Sequence, residues 1–347
     1  MQKTLKIGMP AGSLADPNRG GNLVSLLTNS GFFVSGYAQG GPTKFTSDNY
    51  LFGWDGRPQE FGAQLEINEI DVAIAGNDWI KERVLEMKLE YGKEVQLEHT
   101  LSLNRGGVKL VGIVEDNPFD RIEDFLKNLC SRKKLITVVS EMPYMALDWL
   151  RTKLDEIGLL DQFQSFSVQK YKTPSKIDSG IVIYETWGKT EAKIKNGGAD
   201  IGLEITQSGS AIKNYGLKII DTVMHSHTSI WINPNVRKDA EKLELLNMFL
   251  LNLYGSLNAE NKMMVMFNVA NKNIDVIEQY LREKNLFADE PTVSHGKEFA
   301  VYNVQIDAEN KEEPLAKVRY ELAKRGATSI NTVPVQSSIP SLKVISR

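Results

Sequence analysis

The sequence predicts an α/β protein of two similar lobes with a cleft between them, followed by a small ferredoxin-like α+β domain. Three observations lead there. Over the first two thirds of the chain, apolar runs of strand length alternate with amphipathic runs of helical period, the order that builds layered α/β folds. Within that part, "INEIDVAIAGND" and "NGGADIGLEITQSG" both run turn, aspartate, apolar strand, glycine turn, with Asp71 and Asp200 in the same place. Repeated lobes of this kind hold ligands at the carboxyl ends of their strands, although ordinary strand starts share the pattern. The last third reads strand, helix, strand, strand, helix, strand, the ferredoxin-like order.

Taken in order, "TLKIGMP" predicts a first buried strand ending at Pro10, and Leu23, Leu26 and Leu27 a helix that stops near Asn29 and Gly31. Residues 36–62, rich in Gly, aromatics and charge, read as a long loop with strand pieces. Val72–Ala75 is a short strand, and the Gly-Asn-Asp turn after it leads to an amphipathic helix with Asp78 as a candidate cap. "GGVKLVGIVED" is a strand, "RIEDFLKNL" a helix, "KLITVVSEMP" a strand, and "YMALDWLRTKLDEIG" a helix ending at Gly158. Strand, turn, helix and strand return from Ile181, and "QKYKTPSKIDSG" before them reads as an inserted loop. A strand at 228–232, Pro234 and a charged run at 237–244 mark the boundary before a long helix and the last domain.

The 347 residues are 41% apolar and 24% charged, with a formal net charge of -3. This is a globular composition without the basic field that recruits nucleic acid. Cys130 is the single cysteine, which excludes an internal disulfide or a cysteine metal cluster. Of the four histidines only His225 and His227 are close, and they read as polar strand residues; no metal ligands are assigned. No signal-peptide core or bilayer-length apolar run is present, so a cytoplasmic location away from membranes is expected.

The chemistry sits in "EITQSGSAIKNYGL", Glu204 to Leu217. A strand ends at Thr206, and Gln207, Ser208, Gly209, Ser210 and Ala211 form a loop before a helix or turn from Ile212. Successive backbone N–H groups in such a loop can converge on one small volume, Gly209 permits close approach, and two serines add hydroxyl donors. A helix starting there contributes about half a positive charge. Glu204, upstream at the same strand end, can accept from two sugar hydroxyls. An acid beside a phosphate nest suits a ribose 5-phosphate. A plain strand-to-helix turn has the same composition, and pattern alone leaves both open.

These segments resemble ATP phosphoribosyltransferase, the first enzyme of histidine biosynthesis, in its long form. "ADIGLEITQSGSAIKNYGLKIID" is similar to the family's signature segment, "LKIGMPAGSL" to its N-terminal strand and turn, and "RPQEF" to its Arg-x-x-Asp-Ile stretch. "IDVAIAGNDWIKE", "GGVKLV" and "WGKTEA" resemble its central strands and its Gly-Ser-Val-Glu turn; "KMMVMFNVA", "PTVS" and "GATSINTVPVQ" resemble its regulatory domain. The resemblance implies a two-lobed, periplasmic-binding-protein-like catalytic core, with lobe I in residues 1–106 and 223–236 and lobe II in 107–222, and an ACT-like regulatory domain in 237–347. It implies transfer of the 5-phosphoribosyl group from phosphoribosyl pyrophosphate to a purine ring nitrogen of ATP, with release of pyrophosphate and with Mg2+ on the diphosphate. It further implies histidine as feedback effector, with residues 266–275 and 291–295 as walls of its pocket, and assembly into dimers or hexamers.

Residue by residue, the resemblance implies that Glu204 holds the ribose hydroxyls and that Thr206, Gln207, Ser208, Gly209, Ser210 and Ala211 hold the 5-phosphate. Arg57 and Lys109 join Glu204 as catalytic candidates, and Gly12, Arg57, Asp78, Lys109, Gly188 and Glu191 are the nucleotide or diphosphate candidates. Some positions depart from the family. Gly12 stands in a turn that usually carries a lysine or arginine, Glu204 replaces an aspartate, Ala211 a threonine, and Tyr215 an asparagine. Lys170, Lys172 and Lys176 are candidates to return charge to the cleft. These departures keep two other readings open: a two-lobed small-molecule binding protein, and a catalytically weakened paralogue using another acceptor.

Overall fold

The structure is a computed structural model that describes residues 3–11, 21–37, 42–286 and 292–345. It divides into two compact units, one of Met1–Ser25 with Phe33–Leu246, the other of Leu26–Phe32 with Asn247–Arg347. The elements are β1 (Leu5–Pro10), α1 (Leu23–Asn29), β2 (Val34–Ser35), β3 (Lys44–Phe45), β4 (Leu51–Gly56), α2 (Pro58–Glu66), β5 (Val72–Gly76), α3 (Asn77–Tyr91), β6 (Glu98–Glu115), α4 (Ile122–Cys130), β7 (Leu135–Ser140) and α5 (Pro143–Glu156). There follow β8 (Phe166–Lys170), β9 (Gly180–Glu185), α6 (Thr190–Lys195), β10 (Ile201–Thr206), α7 (Ser210–Asn214), β11 (Leu217–Ile232) and α8 (Ala240–Asn258). The chain closes with β12 (Lys262–Ala270), α9 (Ile274–Glu283), β13 (Thr292–His295), β14 (Phe299–Asp307), α10 (Leu315–Lys324) and β15 (Ala327–Pro334).

A nine-stranded sheet in the order β4-β1-β5-β11-β6-β10-β7-β9-β8 runs through the first unit. Its outer parts are parallel: β4, β1 and β5 on one side (lobe I), and β10, β7, β9 and β8 on the other (lobe II). The long strands β6 and β11 join them, antiparallel from Leu217 opposite Glu115 to Ile232 opposite Glu98, with several register shifts on the way. Each reaches beyond the strand that its own sequence pattern marks, because the partner satisfies its backbone where the side-chain pattern lapses. Parallel strands covered on both faces read as continuous apolar runs, as β9 does. Lobe II accordingly has a core on each face of its sheet, one around Trp149 and Leu150 and one around Val182 and Ile194. Lobe I packs Phe61, Leu65, Ile70 and Ile80.

The sequence repeat is a structural repeat. Asp71 accepts the Lys6 N–H at 2.9 Å while its own N–H goes to the Lys6 carbonyl; Asp200 does the same with Thr137, at the same distance. Each aspartate clamps the strand next to its own at the strand's entry.

Two predictions in lobe I are corrected. Among the described residues of 36–62, the expected strand pieces include β4, paired along its whole length with β1, and the loop expected at its end is the start of α2. Gly53, Asp55 and Gly56 make β4 read as a turn. A side chain at Gly53 would collide with Thr43, whose N–H Asp55 accepts at 2.8 Å. Gly62 lies inside the continuous helix α2 because α3 crosses there, with Arg83 within 2.8 Å of where a Cβ would stand. Asp78 is not the cap of α3; Gly76 holds that position, and Asp78 lies buried inside the first turn.

A carboxylate ties the lobes together behind the sheet. Glu82 of α3 accepts the Tyr144 N–H at 3.0 Å and the Met145 N–H at 2.7 Å, supplying the N-terminus of α5 with the acceptors that its own residues do not provide. Burial pushes the Glu82 carboxyl up to about 8, against the pull of those two N–H groups.

The second unit contains a four-stranded antiparallel sheet in the order β13-β14-β12-β15. One face alternates into a core of Val265, Phe267, Tyr302 and Val304 against Ile277, Leu281 and Leu322 of α9 and α10. This is the predicted ferredoxin-like arrangement. Among the described residues no helix is long and apolar enough to cross a membrane.

Candidate active site

Strand β10 ends in a turn whose shape its residues dictate. Gly209 takes a left-handed φ of +74°, which most other residues adopt only under strain. Its N–H donates to Thr206 Oγ1 at 2.8 Å, and the Ser208 and Ser210 hydroxyls pair at 2.8 Å. Gln207, Ser208, Ser210 and Ala211 are exposed, so the turn is open to ligand. Two features differ from a fully primed phosphate nest. The Gly209 amide is already occupied by Thr206, and α7 is only five residues long, so it carries little dipole.

Glu204 lies two residues back, on the same face of β10 as Thr206. Its Oε1 accepts the Ile205 N–H at 3.1 Å, and its Oε2 is buried with no hydrogen-bond partner among the described residues. Burial pushes the carboxyl up to about 7; the Thr190 hydroxyl opposes this, and the carboxylates of Glu191 and Glu141 add to it. Thr190 is fully buried, and its hydroxyl, set toward the Glu204 carboxyl, makes no hydrogen bond of ordinary length among the described residues. Lobe II thus keeps unspent hydrogen-bonding capacity beside the turn, which is expensive unless something polar uses it.

A second turn of lobe II, between β9 and α6, has Gly188 and Lys189 both left-handed, at φ +75° and +61°. Glu141 accepts the Gly188 N–H, and Lys193 Nζ donates to the Gly188 carbonyl at 2.5 Å. Trp187 at the tip is 73% exposed.

Between the lobes lies a cleft of about 740 Å³ lined by Arg57, Gln59, Asp78, Trp79, Trp187 and Gln207 among others. It brings together the predicted Arg57, Asp78 and Gln207 from different elements. Asp78 is also bound into the framework: Ser226 Oγ donates to its carboxylate at 2.9 Å and accepts its N–H at 3.0 Å. Lys109 lines an adjacent cavity of about 310 Å³ instead, again with Gln207. Glu204, Thr206, Ser208, Gly209, Ser210, Ala211, Gly188 and Glu191 stay together on lobe II and do not line the main cleft. Gly12 lies outside the described residues. Lys170, Lys172 and Lys176 line neither cavity; Lys172 and Lys193 sit over the Tyr171 ring. Sequence reasoning missed Trp79 and Trp187, and passed over His225 and His227, which line the smaller cavity with Asn104.

A two-lobed α/β fold with its cleft at the strand ends, and an exposed hydroxyl-rich turn beside a half-buried acid, is an arrangement suited to a small polar ligand. The family model for ATP phosphoribosyltransferase (HisG) matches residues 57–255. The chain is 28% identical over 316 residues to the ATP phosphoribosyltransferase of Nitratidesulfovibrio vulgaris, covering 88% of this chain and 89% of that one. It is 27% identical over 347 residues to that of Geotalea uraniireducens, covering 98% and 100%. Its fold is similar, at a TM-score of 0.50 and 16% identity, to a chain of the ATP phosphoribosyl transferase (HisG:HisZ) complex from Thermotoga maritima, over 72% of this chain and 96% of that one. The chain belongs to the ATP phosphoribosyltransferase family, and is an enzyme of phosphoribosyl transfer.

Proposed function

We propose that the protein transfers the 5-phosphoribosyl group from phosphoribosyl pyrophosphate to a purine ring nitrogen of ATP and releases pyrophosphate, the first step of histidine biosynthesis. The observation that carries this reading is the open Thr206–Ala211 turn beside the Glu204 oxygen that has no hydrogen bond of ordinary length among the described residues. In the reaction the turn holds the 5-phosphate through the Ser208 and Ser210 hydroxyls, with the Gly209 and Ser210 N–H groups turning to it from Thr206 Oγ1 and Ser208 Oγ. Glu204 accepts from the ribose hydroxyls, using the oxygen that has no hydrogen bond of ordinary length among the described residues. Arg57, and Lys109 from its side cavity, face the diphosphate that leaves. Asp78 borders the nucleotide, and Trp187 offers a flat apolar surface to the purine ring. Gly188 and Glu191 shape the turn that faces them. Displacement at an anomeric carbon needs positioning and charge stabilisation more than a strong base.

Among the described residues no three His, Cys, Asp or Glu side chains stand where they could hold a metal ion. Mg2+ is usually held by substrate phosphates with one or two carboxylates, and here it would neutralise charge on the diphosphate.

Mixing the full chain with ATP, phosphoribosyl pyrophosphate and Mg2+ should form pyrophosphate. No turnover by folded protein counts against the reading, and binding of an amino acid or oxyanion without affinity for phosphoribosyl pyrophosphate replaces it with a binding protein. The proposal keeps the lobe bounds at 1–106 with 223–236 and 107–222, and histidine as an effector of the second unit, supported by that unit's separate core. Of the walls assigned to the effector pocket, residue 291 lies outside the described residues; Asp275 lines a shallow groove with Glu278 and Arg282. Calorimetric titration with histidine tests this, and size-exclusion chromatography with light scattering tests a dimer or hexamer.

A further inference from the structure

Helix α6 is pressed onto β10 at a point where the strand has no side chain. A Cβ on Gly202 would stand 3.1 Å from Ile194, so Ile194 covers the face of β10 on which Gly202 lies. Glu204 and Thr206 share that face, because side chains alternate along a strand. Thr190 and Ile194, four residues apart and both buried, share one face of α6. The helix connects β9 to β10, which both run parallel to β7, so α6 runs back along the sheet against β10. Four helical residues advance about 6 Å and two strand residues about 6.6 Å. Thr190 therefore stands over Glu204 as Ile194 stands over Gly202.

Neither Thr190 Oγ1 nor Glu204 Oε2 makes a hydrogen bond of ordinary length among the described residues, and both atoms are closed to solvent. Each supplies what the other lacks, since a hydroxyl donates one hydrogen and an ionised carboxylate only accepts. The hydroxyl favours the ionised acid against burial. Two charged groups face Glu204 from the elements packed around it: Glu191, next to Thr190 in α6, and Glu141, just beyond the end of β7; both favour the protonated acid. Lys193 of α6 is turned to the Gly188 carbonyl at 2.5 Å, and Lys109 of β6 stands opposite Thr206 while Val111 stands opposite Glu204. Thr190 is thus the side chain of α6 that supports the accepting form of the acid.

We propose that Thr190 is a positioning residue: its hydroxyl donates to Glu204 Oε2 when the acid is ionised, and so fixes the direction in which the carboxylate presents its remaining lone pairs to the ribose hydroxyls. Thr190 itself touches no substrate. A carboxylate oxygen accepts more than one hydrogen bond, so the bond from Thr190 leaves Oε2 able to accept from the sugar. Such charge-assisted bonds are the strong ones, and a carboxylate held in one orientation meets a diol without first losing rotational freedom. The inference rests on the proposed reaction for the sugar, but not for the pairing of the two side chains, which the packing of α6 on β10 places.

Two substitutions in the full chain test it: Thr190→Val keeps the shape and removes the hydroxyl, and Thr190→Ser keeps the hydroxyl. Carbon-13 NMR of the glutamate carboxyls, with Glu204 assigned through Glu204→Gln, follows the acid with no ligand present. Its titration midpoint should move up by about one pH unit in Thr190→Val and return in Thr190→Ser. By calorimetry at pH 7, ribose 5-phosphate should bind about tenfold more weakly to Thr190→Val and recover in Thr190→Ser. Inorganic phosphate, which has no sugar hydroxyls, should bind both as it binds the parent. In a Glu204→Ala background Thr190→Val should change nothing, because the group through which it acts is gone. If folded Thr190→Val titrates Glu204 and binds ribose 5-phosphate as the parent does, or weakens binding equally without Glu204, the proposal is overturned. If the midpoint moves with the hydroxyl while the parent binds no ribose 5-phosphate and forms no pyrophosphate, the pairing of Thr190 with Glu204 stands and the proposed reaction fails.

Discussion

In lobe I, β5 runs directly into the fifteen residues of α3, and the turn is closed, with Asp78 buried and bonded twice to Ser226 of β11. In lobe II, the equivalent β10 ends in an exposed serine-rich turn and a single helical turn, and the nearby acid, Glu204, keeps one oxygen without a partner among the described residues. Both strands start alike, with Asp71 and Asp200 clamping their neighbours through matching bonds. The framework is duplicated and the ends have diverged. One end spends its polar groups on fixing α3 to β11 within lobe I, and the other leaves them for a ligand.

Exchanging the two acids' roles is the sharpest way to break this contrast. Glu204→Ala should lower kcat/KM about a hundredfold or more, since two hydrogen bonds to a charged acceptor are worth about 1.5–3 kcal/mol each. Its melting temperature should hold or rise, because a desolvated carboxyl has been removed. Asp78→Ala should do the reverse in emphasis, lowering the melting temperature by several degrees for about 1–3 kcal/mol. Steady-state kinetics beside calorimetric melting decides it. If Glu204→Ala melts earlier and keeps its rate, the lobes do not differ in the way described.

The interlobe tie comes next. Glu82→Ala leaves the Tyr144 and Met145 N–H groups without their acceptor, a buried loss of about 2–4 kcal/mol. Glu82→Gln restores one acceptor and should recover part of it. Chemical denaturation of the two variants checks the order, and equal stability of all three proteins would remove Glu82 as a tie.

The repeat itself was legible because it is local: an aspartate, an apolar run and a glycine turn recur within a dozen residues. The turn at Gly209 was legible for the same reason. What was hidden depends on partners distant in sequence. Glu82 reads as an ordinary helix carboxylate until α5, 62 residues away, lends it two N–H groups. Gly53 and Gly62 read as breakers until Thr43 and Arg83 fill the space that they leave. His225 and His227 read as surface residues because the bulged pairing of β6 with β11, not alternation along β11, decides what stands beside Lys109.

A smaller effect concerns pH. Folding raises the Glu204 carboxyl from 4.5 to about 7. Its contribution to stability is therefore full below about pH 4.5 and is lost as the pH rises through 7. Affinity for the sugar runs the other way, because two hydroxyls need an ionised acceptor. Ribose 5-phosphate should bind more tightly to the parent above pH 7 than below it, relative to Glu204→Gln. The ligand's own second ionisation, at about pH 6, affects both proteins and cancels in the ratio. A ratio flat in pH would place the titration elsewhere.

The smallest effect probes the open turn with one hydroxyl. Ala211 is exposed in the first turn of α7, where threonine adds a donor without displacing any core atom. A β-branched residue at a helix start costs a few tenths of a kcal/mol, so the melting temperature should barely move. If the turn holds the 5-phosphate, the added donor should contribute about 1 kcal/mol, up to a fivefold gain in ribose 5-phosphate affinity. Ser208→Ala should lose a similar amount. Equal affinities in parent, Ala211→Thr and Ser208→Ala would mean that the phosphate sits elsewhere, since a donor cannot be gained and lost at one anion site without the anion responding.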